Sequence, residues 1–275
     1  MTAAFTSPGL TADLRAIGLR SGSIVMVHSS LRRIGPTERG AATVVEALRA
    51  AVGAEGTIVV PTFTAANSLS SPIFYERTRG MTAQEIHAFE EAMPGFDPAT
   101  TPSTGMGAVA ELVRTTPGAR RSNHPQTSLA AWGPQADAIT RHHPLNCHLG
   151  KDSPLQCLYE LEAHVLLLGV GFEACTAFHL GEYGAPEPPV RDYNCFVAGG
   201  RQADGQPGRE RRTFEAVDLN DRDFGRLGEW LEHQRTSTGQ RVVRHGRVGG
   251  GIARLLPMAL AVDLAVEWFK EHRTG

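Results

Sequence analysis

The sequence is poor in cysteine and has no long apolar run, and both absences exclude classes of protein. Its 275 residues contain four cysteines and no Cys-x-x-Cys pair, which is too few for a disulfide framework and argues against a zinc ribbon. No apolar stretch approaches the roughly 20 residues of a membrane-spanning helix, and no signal peptide is recognisable. We therefore expect a cytoplasmic protein that is not embedded in a membrane.

An excess of positive charge is also missing. The formal net charge is -2, from 27 Lys and Arg against 29 Asp and Glu, so no broad basic field predicts binding to nucleic acid or a membrane surface. Neither Gly-x-Gly-x-x-Gly nor Gly-x-x-x-x-Gly-Lys-Ser/Thr occurs, which counts against a dinucleotide or a P-loop nucleotide. The content of 41% hydrophobic and 20% charged residues is typical of a folded soluble protein.

Apolar runs and helical patterns alternate along the chain. Buried strands are predicted at residues 23–27, 56–60 and 163–170, where β-branched residues are frequent. Helical patterns are found at residues 11–17, 41–52, 107–114, 134–141, 154–161 and 252–272. This alternation favours a mainly parallel sheet covered on both faces. We find no linker and predict a single domain over residues 1–275.

Two segments interrupt the alternation. Residues 63–103 are polar and rich in turn residues, and long excursions of this kind are usually lids or binding loops. Their acidic residues could attract a cationic ligand or belong to a surface helix near 83–92, and the sequence does not separate these two interpretations. Residues 186–212 are rich in Gly, Pro and Arg and indicate a loop or an irregular hairpin.

A histidine and a carboxylate stand three residues apart just beyond the third predicted strand. In the run TAFHLGEY these are His179 and Glu182. If the run is helical, the two side chains share one face, and Glu182 can hydrogen-bond His179 or reach the group that it deprotonates. The alternative is a histidine at a helix start that is satisfied by a local carboxylate.

Five ordered blocks resemble the aminoglycoside 3-N-acetyltransferase family. They read VHSSLRRIG, GTIVVPTFT, TPSTGMGAVAELVR with ARRSNHPQTSLAAWG, GKDSPLQCLYEL and VLLLGVGFEACTAFHLGEY. The resemblance covers nearly the whole chain to about Tyr183 and is weaker beyond. It implies a three-layer αβα fold with a mainly parallel mixed sheet, distinct from the GNAT acetyltransferase fold. It also implies acetyl-CoA as donor and an amine acceptor. We expect no metal, and we expect the insertion at 63–103 to lie on the acceptor side.

The resemblance assigns roles to individual residues. His179 falls on the catalytic histidine, which would take a proton from the acceptor amine during direct transfer, and Glu182 or a later acid would orient it. Asp218 falls where the family carries an acid, with Asp221 as the alternative. Acceptor contacts are expected from Asp152, Glu182 and Asp218. Cofactor contacts are expected from His28, Ser29, Ser30, Leu31, Arg32, Arg33, Gly35, Thr104, Gly105, Met106, Arg121, His124 and Ser128.

Other interpretations of single residues stay open at this point. His142 and His143 with His148 and Asp152 could suggest a metal site. Adjacent histidines, however, point in different directions and lack an established ligand spacing. Cys175 could carry an acyl group in a ping-pong mechanism, although a small buried residue is the simpler interpretation. A serine hydrolase is disfavoured because no Gly-x-Ser-x-Gly elbow is present.

The sequence therefore predicts an acetyl-CoA-dependent N-acetyltransferase that acetylates the 3-amino group of an aminoglycoside and gives resistance. The first alternative is an acyl-CoA N-acyltransferase that acts on another amine, such as a biosynthetic intermediate. A second is a CoA-binding or polyamine-binding protein without catalysis. The oligomeric state is left open.

Overall fold

The computed structural model describes residues 3–184, 187–201 and 207–273. Its centre is a seven-stranded sheet, and a two-stranded hairpin lies beside it. The strands are β1 Ile24–Ser29, β2 Thr57–Pro61, β3 Arg120–Arg121, β4 Leu129–Trp132, β5 His164–Leu168, β6 Val190–Arg201, β7 Pro207–Val217, β8 Arg244–Val248 and β9 Gly251–Pro257. The order in the sheet is β3-β4-β2-β1-β5-β9-β8, and β6 pairs with β7 in the hairpin.

Parallel strands form the middle of the sheet. β1 pairs in parallel with both β2 and β5, so that Met26 lies between Val59 and Val165. β4 and β9 add antiparallel pairs on the two sides, and β3 and β8 pair antiparallel to them. Five of the seven strands consequently run in one direction, which confirms the predicted mixed, mainly parallel sheet.

Helices cover both faces of this sheet. They are α1 Ser7–Ala16, α2 Leu31–Ile34, α3 Ala41–Val52, α4 Pro72–Arg77, α5 Ala83–Glu91, α6 Gly107–Thr115, α7 Ala136–Thr140, α8 Pro154–Glu160, α9 Phe178–Glu182, α10 Phe224–Glu232 and α11 Met258–His272, with one 3-10 turn at Phe172–Ala174. No helix of the described residues is long and apolar enough to cross a membrane.

Side chains alternate along β1 between two hydrophobic cores. Met26 packs with Leu167, Phe178 and Trp268 on one face. Val25 packs with Leu48 on the opposite face, under α1, α3 and α6. Because a strand sends successive side chains to opposite faces, one buried strand joins two helix layers. The result is the predicted three-layer arrangement.

Most predicted elements are present, and the segment 252–272 needs a correction. The predicted strands correspond to β1, β2 and β5, and α3 begins and ends where predicted. The structure splits 252–272 into the end of β9 and the helix α11, with Pro257 as the N-cap residue. β9 pairs with β5 along Ala253–Pro257. Tertiary pairing therefore overrides the helical pattern of these apolar residues.

The excursion, residues 63–103, folds against the hairpin β6–β7. A small core of Leu69, Phe74, Met93 and Phe196 joins the two. Gly95 lies where a Cβ atom would come within 2.8 Å of the backbone of Val197, so the close approach requires glycine. The acidic helix α5 is present and begins with a capping box formed by Thr82 and Glu85.

The predicted loop or hairpin at 186–212 is the hairpin β6–β7, which confirms the second of the two interpretations. Part of that prediction, residues 186 and 202–206, lies outside the described residues.

Candidate active site

A cleft opens where the parallel strands end. Ser30 follows β1, Thr62 follows β2 and a Gly-Val-Gly turn follows β5 at one edge of the sheet. This edge is where open α/β sheets bind ligands. The cleft has a volume of about 290 Å³. Its lining consists of Val27, His28, Ser29, Pro61, Phe63, Gly105, Met106, Val170, Glu173, Ala174, Cys175, Thr176, His179, Asp221 and Phe224.

His179 and Glu182 meet on one face of α9. The Nδ1 of His179 lies 2.6 Å from Oε2 of Glu182, and the two side chains are 12% and 5% exposed. An ionised carboxylate only accepts hydrogen bonds, so Nδ1 carries the proton that is donated to Glu182. The neutral ring then has its free electron pair on Nε2. Since His179 lines the cleft, Nε2 is the nitrogen available to a ligand there.

Two further groups hold the carboxylate of Glu182. Its Oε1 atom accepts a hydrogen bond of 3.0 Å from the backbone N–H of Asn220 and another from the guanidinium of Arg273. The ring of Phe224 packs on His179, with ring centroids 4.7 Å apart. The imidazole is thus fixed by a buried carboxylate on one side and an aromatic ring beside it.

Asp221, rather than Asp218, belongs to the cleft. Asp218 forms an ion pair with Arg191 at 2.8 Å and lines a second cavity of about 570 Å³, which also reaches Glu182 and Arg273. Asp152 is exposed before α8 and is not among the residues that line the cleft. The structure therefore brings Glu182 to His179 and Asp221 to the cleft. Asp218 lies instead at the second cavity, and Asp152 is exposed.

His28 forms part of the cleft wall at the end of β1. Its side chain is 7% exposed, and Nε2 has no hydrogen-bond partner among the described residues. Burial lowers the pKa of His28 to about 4, and the positive charge that His179 carries when protonated adds to this effect. The ring is therefore neutral at pH 7 and offers the cleft an uncharged polar group.

A groove beside the cleft is lined by two arginines and one glutamate, and one of the arginines, Arg254, pairs with Glu232 at 2.9 Å. The groove has a volume of about 490 Å³ and shares Val170 and Glu173 with the cleft. Arg33, in α2, and Arg254, in β9, line it. Ser30 is the N-cap residue of α2, and Gly35 ends that helix with φ of 95°, a value that favours glycine. Arg32 is exposed on the same turn.

The predicted turn at 104–106 reaches the cleft. Gly105 and Met106 line it. Thr104 accepts a hydrogen bond of 3.1 Å from the N–H of Ala65 and donates its own N–H to the carbonyl of Phe63. The two ends of the excursion are therefore tied together at the cleft wall.

Arg121, His124 and Ser128 do not line the cleft. Arg121 donates to the hydroxyls of Thr62 and Ser128, to the carbonyl of Thr62, and to the carbonyl of Thr101 in the excursion. Burial lowers the pKa of Arg121 to about 10, and the group keeps its charge at pH 7. His124 is fully buried. Arg121 braces the excursion, and the predicted contacts of all three residues with the cofactor have no support from their position.

Three buried histidines lie together without forming a metal site. The ring of His124 lies 4.7 Å from that of His143 and 4.6 Å from that of His148. His143 contacts Ser122 and the carbonyl of His148 through its two nitrogens. Among the described residues, no group of three or more His, Cys, Asp and Glu side chains is placed to hold a metal ion.

Cys175 is an unsuitable nucleophile. Its side chain is fully buried, and burial raises the pKa of the thiol to about 12. A thiol must ionise to attack a thioester. Cys175 therefore acts as a small apolar residue of the cleft wall.

Three residues of this region have no predicted role. Glu173 stands within the block VLLLGVGFEACTAFHLGEY but fits no site motif, Arg254 lies in a run predicted as helix, and Arg273 lies 91 positions from its partner Glu182. In the sequence, their charge does not distinguish them from charged residues of the protein surface. Only the fold brings them to the cleft, the groove and the carboxylate.

Known proteins are similar to this chain over nearly its whole length. The prophage-derived aminoglycoside N(3')-acetyltransferase-like protein YokD of Bacillus subtilis is 36% identical over 265 residues, covering 96% of this chain and 92% of the relative. Its crystal structure superposes with a TM-score of 0.88 and 34% identity, covering 99% of this chain and 96% of that one.

Two ligand-bound structures are also similar. AAC-VIa bound to sisomicin gives a TM-score of 0.81 at 32% identity, with 98% of each chain covered. AAC-IIIb in a binary complex with CoASH gives 0.81 at 29% identity, covering 99% of this chain and 98% of that one. The family model described as aminoglycoside 3-N-acetyltransferase matches residues 26–270. The predicted family is confirmed: this chain belongs to the aminoglycoside 3-N-acetyltransferases.

Proposed function

We propose that this protein transfers the acetyl group of acetyl-CoA to the 3-amino group of an aminoglycoside, with His179 as the general base. The observation that carries the proposal is the bond between His179 Nδ1 and Glu182, which leaves Nε2 free in a cleft at the carboxyl ends of the parallel strands. Family membership and the sisomicin and CoASH complexes of similar proteins support the two substrates.

In the proposed reaction the acceptor nitrogen attacks the thioester carbonyl directly. The new C–N bond forms as the amine proton passes to Nε2 of His179, and Glu182 stabilises the imidazolium. The C–S bond then breaks, and the proton leaves His179 for the departing CoA thiolate. No acetyl-enzyme forms, in keeping with the protonated thiol of Cys175.

For the donor, the proposed path runs from the cleft into the adjoining groove. Ser29, Ser30 and Leu31 lie at the end of β1 and offer backbone and hydroxyl partners to the amides of pantetheine. Arg33 and Arg254 line the groove and suit the phosphates of CoA, which need positive charge.

For the acceptor, the proposed position is between the excursion and the segment after β7. Phe63 and Gly105, at the two ends of the excursion, line the cleft, and Glu173 and Asp221 supply carboxylates there. Acetylating an amine of the drug removes a positive charge that it needs to bind RNA, which is the proposed basis of resistance. We place the reaction in the cytoplasm, where thiols stay reduced, because all four cysteines are free.

A turnover assay that detects free CoA thiol tests the proposal. The purified protein is given acetyl-CoA with a panel of aminoglycosides and, separately, with simple mono-amines. Aminoglycoside turnover with an acceptor KM that rises with ionic strength is expected, because salt screens attraction between ammonium groups and carboxylates. Turnover of a mono-amine alone, at a salt-independent KM, would favour the other-amine acyltransferase.

A further inference from the structure

The guanidinium of Arg273 connects the end of α11 to the carboxylate of Glu182. Arg273 follows α11 as its C-cap residue. Its NH1 group donates to Oε1 of Glu182, while Oε2 of the same carboxylate holds His179. The two oxygens of Glu182 thus have different partners. Arg273 is linked to the imidazole of His179 through this one carboxylate.

Arg273 is itself held from three directions. Its Nε atom donates to Oδ2 of Asp223 at 2.7 Å, and NH2 donates to the other oxygen of Asp223 and to the carbonyl of Asn220. The guanidinium carbon lies 3.9 Å from the ring centroid of Phe269. Burial lowers the pKa of Arg273, but the hydrogen bonds and charges of Asp223 and Glu182 outweigh it and raise the pKa overall.

This arrangement restricts rotation of the Glu182 side chain. Without Arg273, Oε1 would keep only the N–H of Asn220, and a carboxylate that is 5% exposed would lose a charged partner. Loss of one partner leaves a buried charge poorly compensated and free to seek water or another donor. The contact between Oε2 and Nδ1, which selects the tautomer of His179, would then weaken.

We propose that Arg273 is a positioning residue for catalysis, which acts through Glu182 to keep the free electron pair of His179 on Nε2. This inference rests on the proposed role of His179 as general base. Arg273 lies beyond residue 270, where the match to the family model ends, so family membership does not assign it a role. It also contacts the carbonyl of Asn220, next to Asp221 on the cleft wall.

A matched pair of arginines tests the inference. Arg273→Ala should lower kcat by about tenfold to a hundredfold with little change in acetyl-CoA KM, since small misplacements of a catalytic group cost rate more than binding. Arg273→Lys should lose less kcat than Arg273→Ala, and guanidinium added to Arg273→Ala should restore part of its lost kcat. Arg226→Ala is the control. The guanidinium carbon of Arg226, in α10, lies 5.6 Å from the ring centroid of Trp268 in α11. It packs on the same helix and does not contact Glu182.

A second measurement is independent of turnover. Nitrogen NMR of histidine-labelled protein, with His179 assigned through His179→Gln, should show the Nδ1–H tautomer in the wild type and a mixture in Arg273→Ala. An equal kcat loss in Arg226→Ala, or an unchanged kcat and tautomer in Arg273→Ala, would overturn the inference. If the wild type acetylates no amine, the proposed function fails. The effect of Arg273 on His179 would still hold if the tautomer of His179 changes in Arg273→Ala as expected.

Discussion

At the scale of single residues, His179 allows the most direct test of the chemistry. We expect His179→Gln to lower kcat by about 10²–10⁴, because a general base typically supplies that factor. Acetyl-CoA binding, measured by calorimetry, should stay close to normal, since the groove with Arg33 and Arg254 is untouched. A folded variant with near-native turnover at neutral pH would contradict the role of His179.

Cys175→Ala is the matched control for that variant, because both side chains line the same cleft. Its turnover should persist and double-reciprocal plots should intersect, as expected for direct transfer. Parallel plots together with an acetyl adduct on Cys175 in intact-mass spectra would instead indicate a ping-pong mechanism.

Among single residues, the sequence predicts some contacts of the site and not others. The spacing of His179 and Glu182 was enough to predict their contact, because residues three apart on a helix share a face. The resemblance assigns Asp218, with Asp221 as the alternative, and the structure places Asp221 at the cleft and Asp218 at the second cavity. Position along the chain does not tell which side chains of a turn face a cleft. Arg273 carried no signal, since its partner Glu182 is brought near by the fold alone.

At the scale of elements, β3 braces the excursion through Arg121. Arg121→Ala should destabilise the protein by about 2–4 kcal/mol, because several buried acceptors lose a charged donor at once. Urea unfolding would measure this loss, and limited proteolysis should cut more readily within residues 63–103. Arg120→Ala is the control, since Arg120 is the exposed neighbour in the same strand. Unchanged stability with a raised acetyl-CoA KM would instead support the cofactor contact predicted from the sequence.

The sequence predicted the central elements better than those at the sheet edges. Continuous apolar runs identify β1, β2 and β5, since strands buried on both faces have little alternation. β9 was predicted as helix because its apolar residues continue into α11, and its strand state depends on pairing with β5. β3 has only two residues, which is too short for any periodicity to be visible.

At the scale of the whole molecule, buried histidines should make stability depend on pH. Burial lowers the pKa of His143 to about 4 and that of His148 to about 3. Between pH 6.5 and these values the unfolded chain binds more protons, so the free energy of unfolding falls as the pH falls. Each such histidine should lower the free energy of unfolding by on the order of 2 kcal/mol between pH 6.5 and 5.

Urea unfolding at pH 7.5 and pH 5 would measure this dependence. His148→Phe should reduce it, because an apolar ring in the aromatic cluster with Tyr193 and Phe214 has no proton to bind. His87→Asn, on the exposed side of α5, should leave it unchanged. If the free energy of unfolding fell equally between pH 7.5 and pH 5 in the wild type and in His148→Phe, His148 would not be a source of the pH dependence.

The excursion and the pair His179–Glu182 are held by different residues. Arg121 braces the excursion through Thr62, Thr101 and Ser128, whereas Asn220 and Arg273 hold Glu182, and no residue belongs to both sets. If the excursion contacts the acceptor and His179 takes the proton, as proposed, mutations that reshape the excursion can accumulate without disturbing the proton transfer. For evolution under changing drugs, this means that a lineage can alter the range of compounds that it inactivates while it inherits the same chemistry.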